Sequence, residues 1–158
     1  FNGSQPQSAW KKIAHWSVSQ AANSYLTSLF WYPPNMNEQI ISEFIKVTMN
    51  DVSSMVLQQF ADWVEHETFR ACPQGNAAPY VYNENFDRVD VPLLLVAGGK
   101  DKIASHEVIY NKGFLNMGSR DKAYRCFDDF GHNDLCIGSG AGQHVYPEIE
   151  QWLRRHSL

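Results

Sequence analysis

Hydrophobic and polar positions along this 158-residue chain follow two different periods. Over the first 70 residues, apolar positions recur at spacings of three and four, which is typical of amphipathic helices. The segment NMNEQIISEFIKVTM predicts one helix after an N-cap at Asn37 or Asn35, and DVSSMVLQQFADWVEH predicts a second helix capped by Asp51. The preceding stretch, residues 8–34, is also biased towards helix, and we expect its two terminal prolines to end it.

From residue 91 onwards the chain changes to short apolar runs. The run VPLLLVAGG predicts a strand buried on both faces of a parallel sheet and ended by its glycines. SHEVIYNKGFLNMG then predicts a helix capped by Ser105, KAYRCFDDF a second strand, and AGQHVYPEIEQWLRRH a closing helix. The order strand, helix, strand, helix predicts a parallel unit with a right-handed crossover, so we expect an α/β fold class.

One acid and one histidine follow the two predicted strands. Asp101 comes after the first strand, and His132 follows the second strand by one glycine. Because functional residues of parallel sheets gather beyond the carboxyl ends of the strands, we expect both side chains at the same edge. An acid in this position fixes the imidazole tautomer and stabilises its protonated form. The pair therefore predicts a catalytic acid and base, and such a pair needs a nucleophile.

Charge and composition narrow the classes of partner. The net charge of −4, with no Lys/Arg run longer than two residues, offers no basic face for nucleic acid. The longest apolar run, residues 91–97, is too short to span a bilayer. The three cysteines form neither a CxxC pair nor a dense framework, which favours free or buried thiols.

The acids around His132 do not predict a metal site. Asp128, Asp129 and Asp134 lack the regular oxygen spacing of a hard-cation loop, and zinc favours His and Cys ligands. We expect Asp134 to shape the histidine loop through local backbone hydrogen bonds instead. The sequence indicates no cofactor and assigns no cellular compartment.

Two segments carry a resemblance to a known family. VPLLLVAGGKDKIA and FDDFGHNDLCIGSGAGQHVYPEIEQWL resemble the last two strands, the acid turn and the histidine loop of an α/β-hydrolase of the lipase and esterase kind. The aromatic-rich stretch Trp10–Phe69 lies where that family inserts a cap, and NENFDRVDVP resembles the return of the chain into the sheet. The resemblance implies a helical cap region over residues 1–78 and, over residues 79–158, the last βαβα portion of a hydrolase sheet, which is an incomplete fold.

The resemblance implies that Asp101 is the triad acid and that His132 is the general base, with the nucleophile earlier in the chain. No G-x-S-x-G occurs, and GSGAG at 138–142 follows the histidine instead of preceding it. We therefore expect this chain to be a fragment, inactive alone, whose missing N-terminal half supplies the nucleophile and the oxyanion hole. The implied function is hydrolysis of a carboxylic ester, and an apolar cap favours an uncharged or hydrophobic substrate.

Two alternatives remain open. The same scaffold carries an aspartate nucleophile in dehalogenases and epoxide hydrolases. The chain could instead be a catalytically inert domain that binds an apolar ligand, or forms a homo-oligomer, through surfaces that the missing half would cover. Activity of the chain alone would make Ser105, Ser139 or a cysteine a candidate nucleophile.

Overall fold

Two amphipathic α-helices follow two short 3-10 turns at the start of the described part of the chain. The computed structural model of the protein describes residues 27–48, 53–72, 75 and 77–157. Helix α1 spans Glu38–Thr48, and the Asn37 side chain accepts a hydrogen bond from the backbone nitrogen of Ile40 at 2.9 Å, which confirms the predicted cap at Asn37.

Helix α2 spans Ser54–His66, and its cap differs from the prediction. The Ser53 hydroxyl accepts from the Met55 nitrogen at 3.3 Å, so the expected cap at Asp51 is wrong; Asp51 itself lies outside the described residues. Most of the helix predicted at the start of the chain also lies outside them, and the part that is described forms short 3-10 turns at Thr27–Leu29 and Pro33–Asn35. No helix in the described ranges is both long and apolar enough to cross a membrane.

Strands β1 (Leu93–Gly98) and β2 (Lys122–Phe127) form a two-stranded sheet. The Leu93 nitrogen donates to the Asp121 carbonyl and the Gly99 nitrogen donates to the Phe127 carbonyl. Because the acceptor moves forward along the chain as the donor does, the strands are parallel, and the predicted mixed α/β class is confirmed.

The strands are less buried and shorter than the sequence predicts. In β1 only Ala97 and Gly98 are buried, since β1 has one strand neighbour among the described residues and not two. The second strand was expected to run over 122–130 but ends at Phe127, because the Phe130 nitrogen turns back to bond the Phe127 carbonyl at 3.1 Å. His132 is thus further from the strand end than predicted.

The two predicted helices of the second half are irregular. The connection between the strands is α3 (His106–Val108), a π-helical turn at Ile109–Gly113 and a 3-10 turn at Phe114–Asn116. Helix α4 (Asp134–Ile137) lies within the histidine loop, where no helix was predicted, and the predicted closing helix is divided into α5 (Ala141–His144) and α6 (Tyr146–His156). Pro147 lies in the first turn of α6, where the absence of its N–H costs no hydrogen bond.

The chain divides into two compact units. The first contains described residues 27–48, 96–106 and 125–157, and the second contains those within 53–95 and 107–124. The expected boundary between residues 78 and 79 stays a prediction. The first unit has two apolar clusters. Trp31 and Ile41 of α1 form one cluster. Phe130, Ala141 of α5 and Val145, which lies between α5 and α6, form the other.

The second unit is held by aromatic contacts and by an ion pair between Asp62 and Arg70. The rings of Phe60, Trp63, Phe69, Tyr82 and Phe86 contact one another in a chain of edge-on and tilted pairs. On the apolar face that helical spacing predicts for α2, Met55, Phe60 and Val64 are more than half exposed, and Leu57 beside that face is more than half exposed as well.

The ion pair joins Asp62 of α2 to Arg70. The guanidinium donates to both carboxylate oxygens, Nη2 to Oδ1 at 2.7 Å and Nε to Oδ2 at 2.9 Å. The Arg70 carbonyl in turn accepts from the Trp63 indole nitrogen at 2.7 Å. The Arg70 hydrogen bonds lower the pKa of Asp62, and the carboxylate raises the pKa of Arg70.

We predict that this pair makes the stability of the protein sensitive to acid. Because the Asp62 pKa is lowered in the folded state, the contribution of the pair is present above the ordinary aspartate pKa of about 3.9 and is lost as the pH falls through the folded value. Asp62→Asn should lower the melting temperature at pH 7, and the gap should narrow towards pH 2. Thermal unfolding followed by circular dichroism at several pH values between 7 and 2 measures this difference in melting temperature.

The matched control is Glu84→Gln, because Glu84 is exposed and forms no ion pair among the described residues. This variant should melt within about 1 °C of the parent at every pH. A gap for Asp62→Asn that stays constant from pH 7 to pH 2 would contradict the prediction.

Candidate functional site

The turn after β1 carries Asp101 close to the segment that follows β2. The Lys100 nitrogen donates to the Phe130 carbonyl at 2.8 Å, which joins the two segments directly. Gly99 permits this approach, since a Cβ atom there would lie 2.7 Å from the Asp128 Cα. A side chain at this position would therefore force the two segments apart.

The structure brings the two predicted site residues together. Nδ1 of His132 lies 2.8 Å from Oδ2 of Asp101. Oδ1 of the same carboxylate accepts from the backbone nitrogens of Ile103 and Ala104, both at 2.8 Å. The Asp101 side chain is 3% exposed and the His132 side chain is 39% exposed. The acid is therefore fixed within the protein, and the imidazole reaches solvent.

This geometry determines which imidazole nitrogen can act as a base. An ionised carboxylate only accepts hydrogen bonds, so the proton of neutral His132 lies on Nδ1. Nε2 then carries the lone pair, on the side of the ring away from Asp101. Such a nitrogen can take a proton from a hydroxyl or from water, and the Asp101 carboxylate stabilises the imidazolium that results.

A second acid, Asp134, holds the histidine loop in place. Its side chain has no exposed surface, and its oxygens accept three hydrogen bonds. Oδ2 accepts from the Gly131 nitrogen at 2.9 Å and from Asn35 Nδ2 at 2.7 Å, and Oδ1 accepts from the Tyr32 nitrogen at 3.0 Å. The loop is thereby bound to the segment that precedes α1. The expected bond between Asp134 and its own loop is confirmed by Gly131.

Two further contacts join the same segments. The Asn133 nitrogen donates to the Phe30 carbonyl at 2.8 Å, and the Ser139 nitrogen donates to the Asn35 carbonyl at 2.9 Å. Gly131 is packed so closely that a Cβ atom there would lie 2.6 Å from the Tyr32 nitrogen. The position of His132 is therefore set on both sides by backbone contacts.

Comparison of the chain with protein-family models, with curated proteins and with solved structures gives no match. The interpretation of the Asp101–His132 pair therefore rests on its geometry and on the sequence around it.

No nucleophile accompanies the pair in the described residues. No hydroxyl or thiol there forms a hydrogen bond with His132 Nε2, and the Ser139 hydroxyl donates to the Asn35 carbonyl at 3.2 Å. The thiols of Cys72 and Cys126 are half-buried, but Cys136 is exposed, so the expectation of a buried thiol is wrong there. Within the described ranges, no three His, Cys, Asp or Glu side chains are placed to hold a metal ion.

Sequence reasoning missed the longest-range part of the site. The sequence predicts that Asp134 bonds locally, but Tyr32 and Asn35 are 102 and 99 residues away from it. Nothing in the pattern around Tyr32 marks its amide as a partner of an acid near the end of the chain. The available signal was the acid itself, which lies two residues after the candidate histidine.

We predict that Asp134 is a principal source of stability in the first unit. Asp134→Ala leaves the half-buried nitrogen of Tyr32 and the buried nitrogen of Gly131 without their acceptor, and should lower the free energy of unfolding by about 2–4 kcal/mol. Urea unfolding followed by circular dichroism measures the change. Asp128→Ala, which removes an exposed carboxylate, is the control and should cost less than about 0.5 kcal/mol. Equal effects of the two variants would contradict the prediction.

We also predict the tautomer of His132. In the neutral ring the proton should lie on Nδ1, and Asp101→Ala should abolish this preference because it removes the acceptor. Long-range ¹H–¹⁵N correlation spectra distinguish the two ring nitrogens. His144 is exposed and forms no described hydrogen bond through its ring, so its tautomer should be the same in both proteins. An Nε2–H tautomer for His132 in the parent protein would refute the assignment.

Proposed function

We propose that this chain supplies the acid and the general base of an α/β-hydrolase of the lipase and esterase kind that cleaves carboxylic esters. The observation that carries the proposal is the 2.8 Å contact between Asp101 Oδ2 and His132 Nδ1, formed by residues that follow two parallel strands. The order acid then histidine along the chain is that of the resembled family. In this proposal residues 79–158 are the last βαβα portion of a larger sheet, and the nucleophile belongs to an N-terminal half.

The proposed reaction has two stages. A serine hydroxyl from the missing half attacks the ester carbonyl carbon while His132 Nε2 takes the hydroxyl proton. The C–O bond to the alcohol then breaks, and the imidazolium gives that proton to the departing oxygen. In the second stage His132 takes a proton from water, which attacks the acyl carbon. The acid product leaves, and the proton returns to the serine.

Asp101 has a positioning role in this scheme. Its Oδ1 is held by the amides of Ile103 and Ala104, so Oδ2 stays directed at the imidazole while the ring charges and discharges. The negative charge of Asp101 stabilises protonated His132. This stabilisation lowers the activation free energy of the step in which His132 takes the proton of the nucleophile.

An apolar groove supports a hydrophobic ester as substrate. A groove of about 650 Å³ lies along α1, with Ile40, Phe44, Val47 and Ile137 among its lining residues. Ile137 belongs to α4, the helix that begins two residues after His132. In the proposed enzyme this groove holds the apolar part of the substrate.

A second candidate function is a catalytically inert domain that binds an apolar ligand or associates with itself. The observation that favours it is the set of exposed apolar side chains on α2, where Met55, Leu57 and Val64 are 60–79% exposed. Exposed apolar patches of this kind mark interaction surfaces. This candidate requires no role for His132.

The experiment that tests the proposed enzyme is hydrolysis of a short-chain p-nitrophenyl ester. It compares the 158-residue chain with the longer protein that the proposal requires, in which a G-x-S-x-G lies upstream of these residues. Only the longer protein should hydrolyse the ester. In it, His132→Ala and Asp101→Asn should each lower kcat by about 10³–10⁴-fold, since both remove part of the proton relay.

His144→Ala is the matched histidine control and should leave kcat unchanged, because His144 lies in α5 and contacts the Phe130 ring and not Asp101. A longer protein without activity, or with activity that survives His132→Ala, would overturn the proposal. Concentration-dependent association in light scattering, together with absent hydrolysis, would establish the inert domain instead. A strictly monomeric, cooperatively folding chain would count against self-association.

A further inference from the structure

Helix α2 is attached to the rest of the second unit through one of its sides. Gln59 and Trp63 both donate to the Arg70 carbonyl, at 3.0 Å and 2.7 Å, and Asp62 is paired with the Arg70 guanidinium. Because an α-helix has about 3.6 residues per turn, these three side chains of α2 lie on one side of it. That side faces its own unit and is held mainly by hydrogen bonds.

An apolar stripe lies on a different side of the same helix. The α2 stripe consists of four side chains at the spacing i, i+1, i+4 and i+8, which covers a strip about 100° wide: Val56, Leu57, Phe60 and Val64. These four residues are 44–79% exposed. Contact of such a surface with water is unfavourable, and a partner that covers it gains the hydrophobic free energy of its burial.

The exposed apolar surface continues from the α2 stripe through aromatic rings. The Trp63 ring contacts Phe60 and Phe69, Phe69 contacts Tyr82, and Tyr82 contacts Tyr80. Phe69, Tyr80 and Tyr82 are 40–50% exposed. An aromatic side chain has about 150–250 Å² of surface, so these three rings and Phe60 leave roughly 400 Å² uncovered. With the aliphatic members of the stripe the surface exceeds about 500 Å², the area that each partner contributes to a small specific interface.

The charges of α2 distinguish between possible partners. Residues 54–60 carry no charge, whereas Asp62 and Glu65 lie in the second half of the helix and Glu67 follows its end. The helix contains no Lys or Arg, so it lacks the basic flank with which amphipathic helices bind anionic membranes. Two copies side by side in the same direction would bring their acids together. In antiparallel order, the acids of each copy lie beside the uncharged N-terminal half of the other, at the positive end of its helix dipole.

We propose that α2 pairs with α2 of a second copy of this chain, in antiparallel order around a two-fold axis near Phe60. In this pair the two Phe60 rings lie opposite each other, and Val56 of each copy packs against Val64 of the other. The proposal rests on the self-association named above as a second candidate function, and it adds the surface, the partner and the orientation. It does not depend on ester hydrolysis, because Asp101 and His132 belong to the first unit.

Sedimentation equilibrium of the 158-residue chain tests the pairing. We expect a monomer–dimer equilibrium with a Kd on the order of 10 μM, since the surface is at the small end of specific interfaces. Val64→Glu and Val56→Lys should each weaken the dimer at least about 10-fold, because each places a charge against an apolar side chain of the other copy. The matched control is Val108→Glu. Val108 is 57% exposed in α3 and does not belong to the stripe, so this variant should leave the Kd unchanged.

The combination of Val64→Glu with Val56→Lys in one chain tests the orientation. In the antiparallel pair the two new charges meet with opposite signs, so the double variant should associate at least about 5-fold more tightly than either single variant. In a parallel pair, like charges would meet, and the double variant would be the weakest. A double variant that associates no more tightly than the single ones would overturn the antiparallel arrangement.

Three further outcomes would overturn the proposal. A chain that stays monomeric at about 100 μM would refute both the pairing and the self-association of the second candidate function. Association that survives both single variants would refute the pairing alone. A monomeric chain that binds vesicles of phosphatidylcholine and phosphatidylserine, and loses this binding in Val64→Glu, would assign the stripe to a lipid surface instead. Circular dichroism confirms that each variant folds, and if one single variant does not fold, the other carries the test.

Discussion

A carboxylate taken out of water must find hydrogen-bond donors within the protein, and Asp134 finds three. One donor lies in its own loop, and two lie in the segment that precedes α1. The acid therefore joins parts of the first unit that are far apart in sequence, and it replaces bonds to water by bonds of fixed geometry. The same hydrogen bonds fix the position of the loop that presents His132, because the Gly131 nitrogen is one of the three donors.

The candidate site is built largely from backbone groups. Amides of the Asp101 turn hold the acid, and the amide of Lys100 bonds to the carbonyl of Phe130 near the histidine loop. Hydrogen bonds of this kind need close approach, and the glycines at 99 and 131 provide it by omitting a side chain. A two-stranded sheet with little apolar burial can thereby place an acid and an imidazole 2.8 Å apart.

Those features of the fold that depend on neighbours in sequence could be predicted. The strand at 93–98, the cap at Asn37 and the convergence of Asp101 with His132 all follow from local patterns and from the geometry of parallel strands. The division of the closing helix could also have been read from Pro147, but its apolar spacing suggests continuity.

What could not be predicted depends on contacts between distant residues. The early end of β2 follows from a turn that bonds Phe130 to Phe127, and the partners of Asp134 lie about 100 residues earlier in the chain. Helical spacing on α2 predicts an apolar face correctly, but spacing alone does not supply the surface that would bury it. The periodicity of apolar residues is a property of one helix or strand, whereas burial also requires a second element that packs against it.

The close packing of Gly131 also bears on how much sequence variation the loop can accept. A Cβ atom there would lie 2.6 Å from the Tyr32 nitrogen and 2.8 Å from Asp134 Oδ1, so even alanine would displace the loop. Three of the four residues in Gly131-His132-Asn133-Asp134 are thus each restricted by a separate physical requirement: Gly131 by space, His132 by its contact with Asp101 and Asp134 by its hydrogen bonds. The tetrapeptide G-H-x-D, downstream of an aspartate that ends a glycine turn, is consequently a selective pattern with which to search other sequences for the same arrangement.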